Sequence, residues 1–575
     1  MTAAVICQII HHYFPASPAP ASSPSMSHVS TFFQWNALPV EISLMILGLL
    51  DPYDILACRM ASRSMWMLSN QLSLWTECLR NLDGHGFYPH SSESPSLSEL
   101  ERTATAGQRF TRRFQRHISH DHFGPFPALK RLYIEPADPE EELEHLRMVP
   151  GGRFLLTTHD CIVRLWDLTK PSSGPVSSLE IEPASFLISV WVRLSPPPNH
   201  DPLVIVASQE ADLFHIHILT IKPEGQLVVE HPILALSIPT SEFAWIICAT
   251  ARLVAIQLGH KLIVWDNQRD LWMSWDLSSL QVPKTSQRTA YVFDGNIAIF
   301  NPDESELTIS RIPSLEPRAS TATHPPLLKV APDILQRYTL YRFNSLQRLT
   351  NSPFAGVTLV FHSPETSTRE RPVRVDVVSS DENENVILSY FVLIAETDGS
   401  HPKLVAVGES QLAAWFDLCH SFHLEWISCD TVQCFIIEST VLHVVISQVS
   451  FPDDSLLHRS YHSVAGVLGT AGSILAGDAN VDFCSLSGRI CARTKVAEGE
   501  GYRVAVLDYV LSDGRKAAIS FWAKHILDLL TQVKCTALPN VHAWIQREPP
   551  GMVPIAKSDS TEQSAGSCAG EKLVA

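Results

Sequence analysis

From Leu38 onward, apolar residues recur at three- and four-residue spacing, so that Leu38, Ile42, Met45, Ile46, Leu49 and Leu50 share one helical stripe. Pro39 fits the first turn, where its missing N–H costs nothing, and Glu41 places a carboxylate at the positive end of the helix dipole. The pattern predicts a helix over 39–49. Asp51-Pro52-Tyr53-Asp54 repeats the start signal, with an Asp able to cap and a Pro at the first helical position, ahead of Ile55, Leu56, Cys58 and Met60. Residues 62–80 keep helical spacing through Met65, Trp66, Leu68, Leu72, Trp75, Cys78 and Leu79, interrupted at Ser69-Asn70. A module of about 45 residues buries too little surface to be comfortably stable alone, so its size implies a partner.

Residues 81–96 are turn-rich and read as a linker. A polar helix over 97–118 follows: Ser96 and Glu99 offer capping groups, and Phe110, Phe114 and Ile118 give it one apolar face. After Leu129 the period changes. Short runs rich in Val, Ile, Leu, Phe and Trp alternate with Gly, Pro, Asp, Asn and Ser, as antiparallel strands and turns do. In the best-formed unit, Phe154 to His159 and Cys161 to Leu168 parse as strand, tight turn at His159-Asp160, strand. Leu253 to Ile256 and His260 to Asp266 repeat that hairpin, and weaker echoes end at Ile297–Phe300, Leu412–Asp417 and Ile519–Trp522. Recurrence at intervals of about 35–75 residues suggests blades with unequal loops.

The ordered elements Leu38-Pro39-Val40-Glu41-Ile42, Leu49-Leu50-Asp51-Pro52-Tyr53-Asp54-Ile55-Leu56, Arg59-Met60-Ala61-Ser62-Arg63 and Leu74-Trp75 resemble an F-box. That resemblance implies a three-helix module that docks on the Skp-type adaptor of cullin-RING ubiquitin ligases. It also implies that Leu38, Pro39, Ile42, Ile46, Leu49, Leu56 and Trp75 face or support the adaptor. The chain departs from the family pattern at one place: the aromatic usual two residues after the Ser-Arg pair falls at Trp66, with Met65 in its slot.

The strand region is similar to WD-repeat propellers, in which a Trp-Asp dipeptide closes the third strand of a blade. Here Trp166-Asp167 and Trp265-Asp266 take that place, with Asp160 in the turn before the first. The Gly-His dipeptide of that family is absent from most units. An F-box joined to a degenerate propeller opened by Arg147-Met-Val-Pro-Gly-Gly-Arg153 resembles the F-box proteins abundant in mushroom-forming fungi.

Composition narrows the function. The 575 residues, 45% of them apolar, suffice for two or three domains, and a net charge of −17 argues against a nucleic-acid partner. The basic cluster of Arg109, Arg112, Arg113, Arg116 and His117 is helix-spaced and reads as a solvated face. Twelve cysteines are scattered without C-x-x-C, as in a reducing compartment. The N-terminal apolar run lacks a basic leader, and no run reaches the ~18–20 residues needed to cross a bilayer. The expectation is a soluble intracellular protein, cytoplasmic or nuclear, with no membrane partner.

The fold expected is α+β multidomain: a disordered lead (1–30), an F-box (31–81), a linker with a polar helix (82–129), an antiparallel β-propeller of about seven blades (130–535) and a flexible tail (536–575). Phosphate loops, dinucleotide motifs, nucleophile elbows and zinc motifs are all missing, so no catalytic residue, cofactor or metal is expected. His215 and His217 share a strand face without a third ligand, and His117, His120 and His122 read as exposed polar residues. The resemblance implies a non-catalytic substrate receptor of a Skp-cullin-F-box ubiquitin ligase, bound through the adaptor to cullin and holding an unknown protein substrate on its propeller. The alternative is a propeller scaffold outside any ligase.

Overall fold

The computed structural model describes residues 38–83, 96–119 and, with short breaks, 126–510. The chain divides after Leu511, and the second unit, Ser512–Ala575, lies outside the described residues. So do the predicted lead and tail and the strand echo at Ile519–Trp522.

The first described helices are α1 (Val40–Gly48), α2 (Pro52–Ala61), α3 (Arg63–Ser69) and α4 (Leu72–Asp83). Among its described residues the module has four helical segments, because the break at Ser69-Asn70 separates α3 from α4. Asp51 and Pro52 take the N-cap and first helical positions of α2, as their order predicts, although the Asp51 side chain makes no capping hydrogen bond. Ser62 does cap, accepting from the Met65 N–H at 3.2 Å. The helix α5 (Leu97–Ser119) begins with the predicted reciprocal cap: Glu99 Oε2 accepts from the Ser96 N–H at 2.8 Å, and Ser96 Oγ accepts from the Glu99 N–H at 3.3 Å.

The described strands form seven antiparallel sheets, which in chain order run over 145–180, 186–237, 244–276, 289–339, 358–415, 419–468 and 481–508. Each of the first six is laid down from one edge to the other in order of sequence. The first strand of every sheet touches the first strand of the next, and Val481–Cys484 of the seventh touches His145–Met148 of the first. This ring of sheets with its leading strands innermost is a β-propeller. Lys130–Ile134, the earliest strand, becomes the outermost strand of the last sheet, pairing Ile134 with Val504 and Lys130 with Asp508. The two ends of the ring are thus fastened by hydrogen bonds rather than left as open edges.

Apolar seams fill the spaces between sheets. Phe154, Leu156, Val163 and Leu165 meet Val190, Val204, Val206 and Leu219 between the first and second. The third sheet gains a fifth strand that the sequence pattern did not announce. The long connection after Arg311 leaves its own sheet, and Glu316–Pro317 pairs with Trp272 and Leu271. Arg318 holds it there, with Nε 2.7 Å from Asp270 Oδ1.

α5 spans the two architectures. Leu100 and Ala104, in its first half, are buried with Leu47, Ile55, Trp75 and Leu79 of the helical module. Ala106, Phe110 and Phe114, further along, are buried with Phe126, Phe483, Ile490 and Tyr509 at the seventh sheet.

Candidate protein-docking surface

α1 carries apolar residues on its covered and its open side alike, with Glu41 exposed among them. Ile46, Leu47 and Leu50 pack inward, whereas Val40, Met45 and Leu49 are 52%, 68% and 64% exposed. Met60, Trp66, Met67 and Leu72 are also more than half or half exposed, so seven of the eleven large exposed apolar residues described fall within 40–72. So much exposed apolar surface on one short segment makes it a candidate docking surface.

The sequence-derived candidates divide into two groups. Pro39 and Leu49 are exposed, and Leu38 and Ile42 are half-buried beside them. Ile46, Leu56 and Trp75 are core residues at 7%, 9% and 0% exposure, so they can only support the surface from behind. Val40, Met45, Met60, Met67 and Leu72 complete the apolar cluster. Their signal in the sequence was the surplus of apolar positions beyond one helical stripe.

The Met65/Trp66 departure resolves in three dimensions. Met65 fills the inward slot and packs against the module core, while Trp66 is carried round to the outside at 54% exposure. The core below is fastened at the Ser69 carbonyl, which accepts from Trp75 Nε1 at 2.7 Å and from Arg59 Nη2 at 2.9 Å. Arg59 Nε also donates to Ser69 Oγ at 2.9 Å. These bonds satisfy a carbonyl at the end of α3 that helix geometry leaves unpaired. They give Arg59 and Trp75 of the F-box-like text a structural task. Burial, aided by Asp51, pushes the Cys78 thiol up to about 12, so it is an inert part of this core.

In the propeller, Asp160 has φ +48° in the hairpin between Phe154–His159 and Ile162–Asp167. The turn residues are Asp160 and Cys161, one position later than the sequence parse, because His159 pairs with Ile162. Trp166-Asp167 and Trp265-Asp266 end the third strand of their sheets. The echo at Ile297–Phe300 lies instead on a second strand, since Asn296–Asn301 sits between Thr289–Phe293 and Glu306–Arg311.

Each aspartate of the two Trp-Asp pairs meets an arginine 14 residues earlier. Arg153 reaches Asp167 Oδ2 at 2.8 Å and Arg252 reaches Asp266 Oδ2 at 2.6 Å. Burial pushes the Asp167 carboxyl up, but hydrogen bonds from Arg153 and Thr169 prevail and hold it below its ordinary value. The seventh sheet repeats the device without a tryptophan, as Arg489 Nε lies 3.0 Å from Asp508 Oδ2. The sequence reading missed these arginines, although the spacing of 14 shared by the two Trp-Asp pairs was present in it. The contacts of these motif residues lie within the blades: Trp166 and Trp265 are buried, and Asp167 and Asp266 are paired with arginines. Trp166 is buried and donates from Nε1 to Thr157 Oγ1 at 2.9 Å, and Trp265 donates to Asp270 Oδ1 at 3.1 Å.

His215 and His217 stack with ring centroids 6.1 Å apart, and His217 is buried. Among the described residues no group of three His, Cys, Asp or Glu is placed to hold a metal ion, and no helix is long and apolar enough to cross a membrane. His120 and His122 lie outside the described residues.

Residues 35–81 match the F-box-like family model. No curated protein matches the chain. Among solved structures, the chain is similar to the WD40 domain of SCAP from fission yeast, at 11% identity, over 64% of this chain and 82% of that one, with a TM-score of 0.36. It is similar also to Hsv2 of Kluyveromyces lactis, at 11% identity over 55% and 86%, with a TM-score of 0.32. A third likeness is to a periplasmic gluconolactonase of Pseudomonas aeruginosa, at 11% identity over 57% and 85%, with a TM-score of 0.30. These scores are too low to carry an argument, and the propeller architecture rests on the sheet order and ring contacts themselves.

Proposed function

We propose, on the premise of an F-box-like module joined to a β-propeller, that this chain is a non-catalytic substrate receptor of a Skp-cullin-F-box ubiquitin ligase. The helical module docks a Skp-type adaptor, which connects it to cullin, and the propeller holds a protein substrate. The observation that carries this reading is the uncovered side of α1, where Val40, Met45 and Leu49 stand exposed over a packed core. Burying three such side chains against an adaptor contributes several kcal/mol, at roughly 1.5–3 kcal/mol each. Ligation itself asks no chemistry of the receptor: it raises the effective concentration of substrate beside a separately recruited conjugating enzyme.

The test is co-expression of the full chain with a Skp-type adaptor, followed by size-exclusion chromatography of wild type and Ile42→Asp. Co-elution in wild type and its loss in the variant are expected. A folded wild-type chain that elutes without the adaptor overturns the reading and favours a propeller scaffold outside any ligase.

A further inference from the structure

In the seventh sheet, the turn between Val481–Cys484 and Arg489–Lys495 meets two neighbours at once. On one side it holds the first sheet. Arg489 Nη1 donates to the Gly152 carbonyl at 2.6 Å, Ser487 Oγ fills the place that a Cβ on Gly152 would need, and the Asp482 carboxylate accepts from the Met148 N–H. On its other side the turn lies against α5. Gly488 has φ +64°, and a Cβ there would overlap Val510 and stand 3.6 Å from Phe110 Cβ. Ser487 and Arg489 thus grip the first sheet, while the glycine between them faces the helix.

α5 carries this contact to the helical module without a break. Thr103, Ala104, Thr105 and Ala106 are all buried, and four successive residues at steps of about 100° go round the whole circumference of a helix. Before this enclosed turn, Leu100 packs with Leu47, Trp75 and Leu79; after it, Phe110 and Phe114 pack with Phe126, Phe483, Ile490 and Tyr509. Polar contacts fasten both halves, Glu101 to Arg59 at 2.8 Å and Arg113 Nη1 to the Tyr509 carbonyl at 2.7 Å. The seam beneath α5 differs from the others in its connectivity. Each of the other six joins sheets that follow one another in the chain, whereas this one joins the last sheet to the first. No short connection tethers its two sides, so it is the seam at which the ring can part without unfolding a sheet.

We propose that α5 makes the helical module part of the ring closure: the seam between the seventh and first sheets parts only as α5 lifts from the 484–489 turn, and a partner bound to the packed module holds the seam shut. The coupling is one of mass action, since such a partner binds the state in which α5 is packed and not the state in which it has lifted. The link from module to seam stands on the contacts above; the effect of the Skp-type adaptor on it rests on the receptor reading.

The experiment is amide hydrogen exchange of the full chain, read by mass spectrometry for peptides covering 143–159 and 481–495 at the seam and 244–258 of the third sheet as a reference. Leu100→Val loosens the contact of α5 with the module, and Phe110→Leu loosens its contact with the seventh sheet. Each should speed exchange at the seam about tenfold and leave 244–258 at its wild-type rate. Adding a Skp-type adaptor to the wild-type chain should slow exchange at the seam. Wild-type rates at the seam in Leu100→Val overturn the proposal, as does equal acceleration of the reference peptides, which marks a general loss of stability. An adaptor that co-elutes with the chain yet leaves the seam rate unchanged also overturns it. An adaptor that does not bind counts against the receptor reading instead, and the Leu100→Val result then decides the coupling.

Discussion

Arg59 and Glu101 form an ion pair of 2.8 Å that joins α2 to α5 across 42 residues of sequence. The same guanidinium donates twice to Ser69 and lies 5.6 Å from the Trp75 ring, so one side chain connects the end of α3, the core tryptophan and the bracing helix. Its side chain is 15% exposed and that of Glu101 22%, which makes this more than a surface pair. Arg59→Ala leaves the Glu101 carboxylate short of a partner and removes two of the donors to Ser69, and should cost about 1–3 kcal/mol. Glu101→Gln keeps a hydrogen-bond acceptor and should cost less. Urea unfolding followed by tryptophan fluorescence checks both values.

Surface and core residues of the F-box-like segment should separate cleanly. Leu49→Asp and Met45→Asp change exposed positions, so the thermal midpoint should hold while adaptor affinity falls by about 2 kcal/mol or more, roughly thirtyfold. Trp75→Ala removes a fully buried ring and the hydrogen bond to Ser69, and should cost about 3–5 kcal/mol of stability. Calorimetry of the three variants beside an adaptor-binding titration distinguishes the two classes.

Ring closure depends on the Gly152 site. This residue has φ +68°, and a Cβ added to it would stand 2.1 Å from Ser487 Oγ and 2.4 Å from Ser487 Cβ in the seventh sheet. Arg489 Nη1 also donates to the Gly152 carbonyl at 2.6 Å, so the backbone cannot simply retreat. Gly152→Ala should destabilise the propeller by about 1–3 kcal/mol through backbone strain and overlap. Ser487→Gly in the same chain should restore part of the loss by removing the overlap while leaving the strained φ. Thermal unfolding of the single and double variants measures the coupling.

The seam between the first and second sheets should weaken in acid. Burial, with Arg147, holds the His145 ring down to about 4, and burial, with His215, holds His217 to about 4. Both folded values lie below the ordinary unfolded value of about 6.5, so the folded state favours neutral rings. Their contribution is complete above pH ~6.5 and is lost as the pH falls toward about 4, by up to about 3 kcal/mol per group. His217→Gln should flatten the pH dependence of the thermal midpoint across that window, and an unchanged slope would count against the assignment.

Local chemistry made part of this structure legible in advance. Helical spacing and capping residues mark α1, α2 and α5 because a helix forms from contacts three and four residues apart, and Ser96 with Glu99 needs nothing distant to close its cap. Alternating strand text and the Asp160 turn likewise reveal antiparallel hairpins, displaced by only one residue at the turn. The same text could not divide apolar residues into core and surface. Leu49 and Leu50 are adjacent and equally apolar, yet one is 64% and the other 8% exposed.

The remaining features depend on residues far apart in the chain. Glu316–Pro317 joins the third sheet after a long excursion, and Lys130–Ile134 completes the seventh sheet by pairing with Tyr502–Asp508. Arg112 and Arg113 are neighbours with the same side chain, but one lies on Tyr53 and the other at Tyr509 because adjacent helix residues point in different directions, about 100° apart. Local spacing and turn chemistry are enough to mark α1, α2, α5 and the antiparallel hairpins, since each forms from residues close in the chain. Which side of α1 stays open, how the ring closes and which arginine of α5 lies on Tyr53 depend on distant elements and what they leave uncovered.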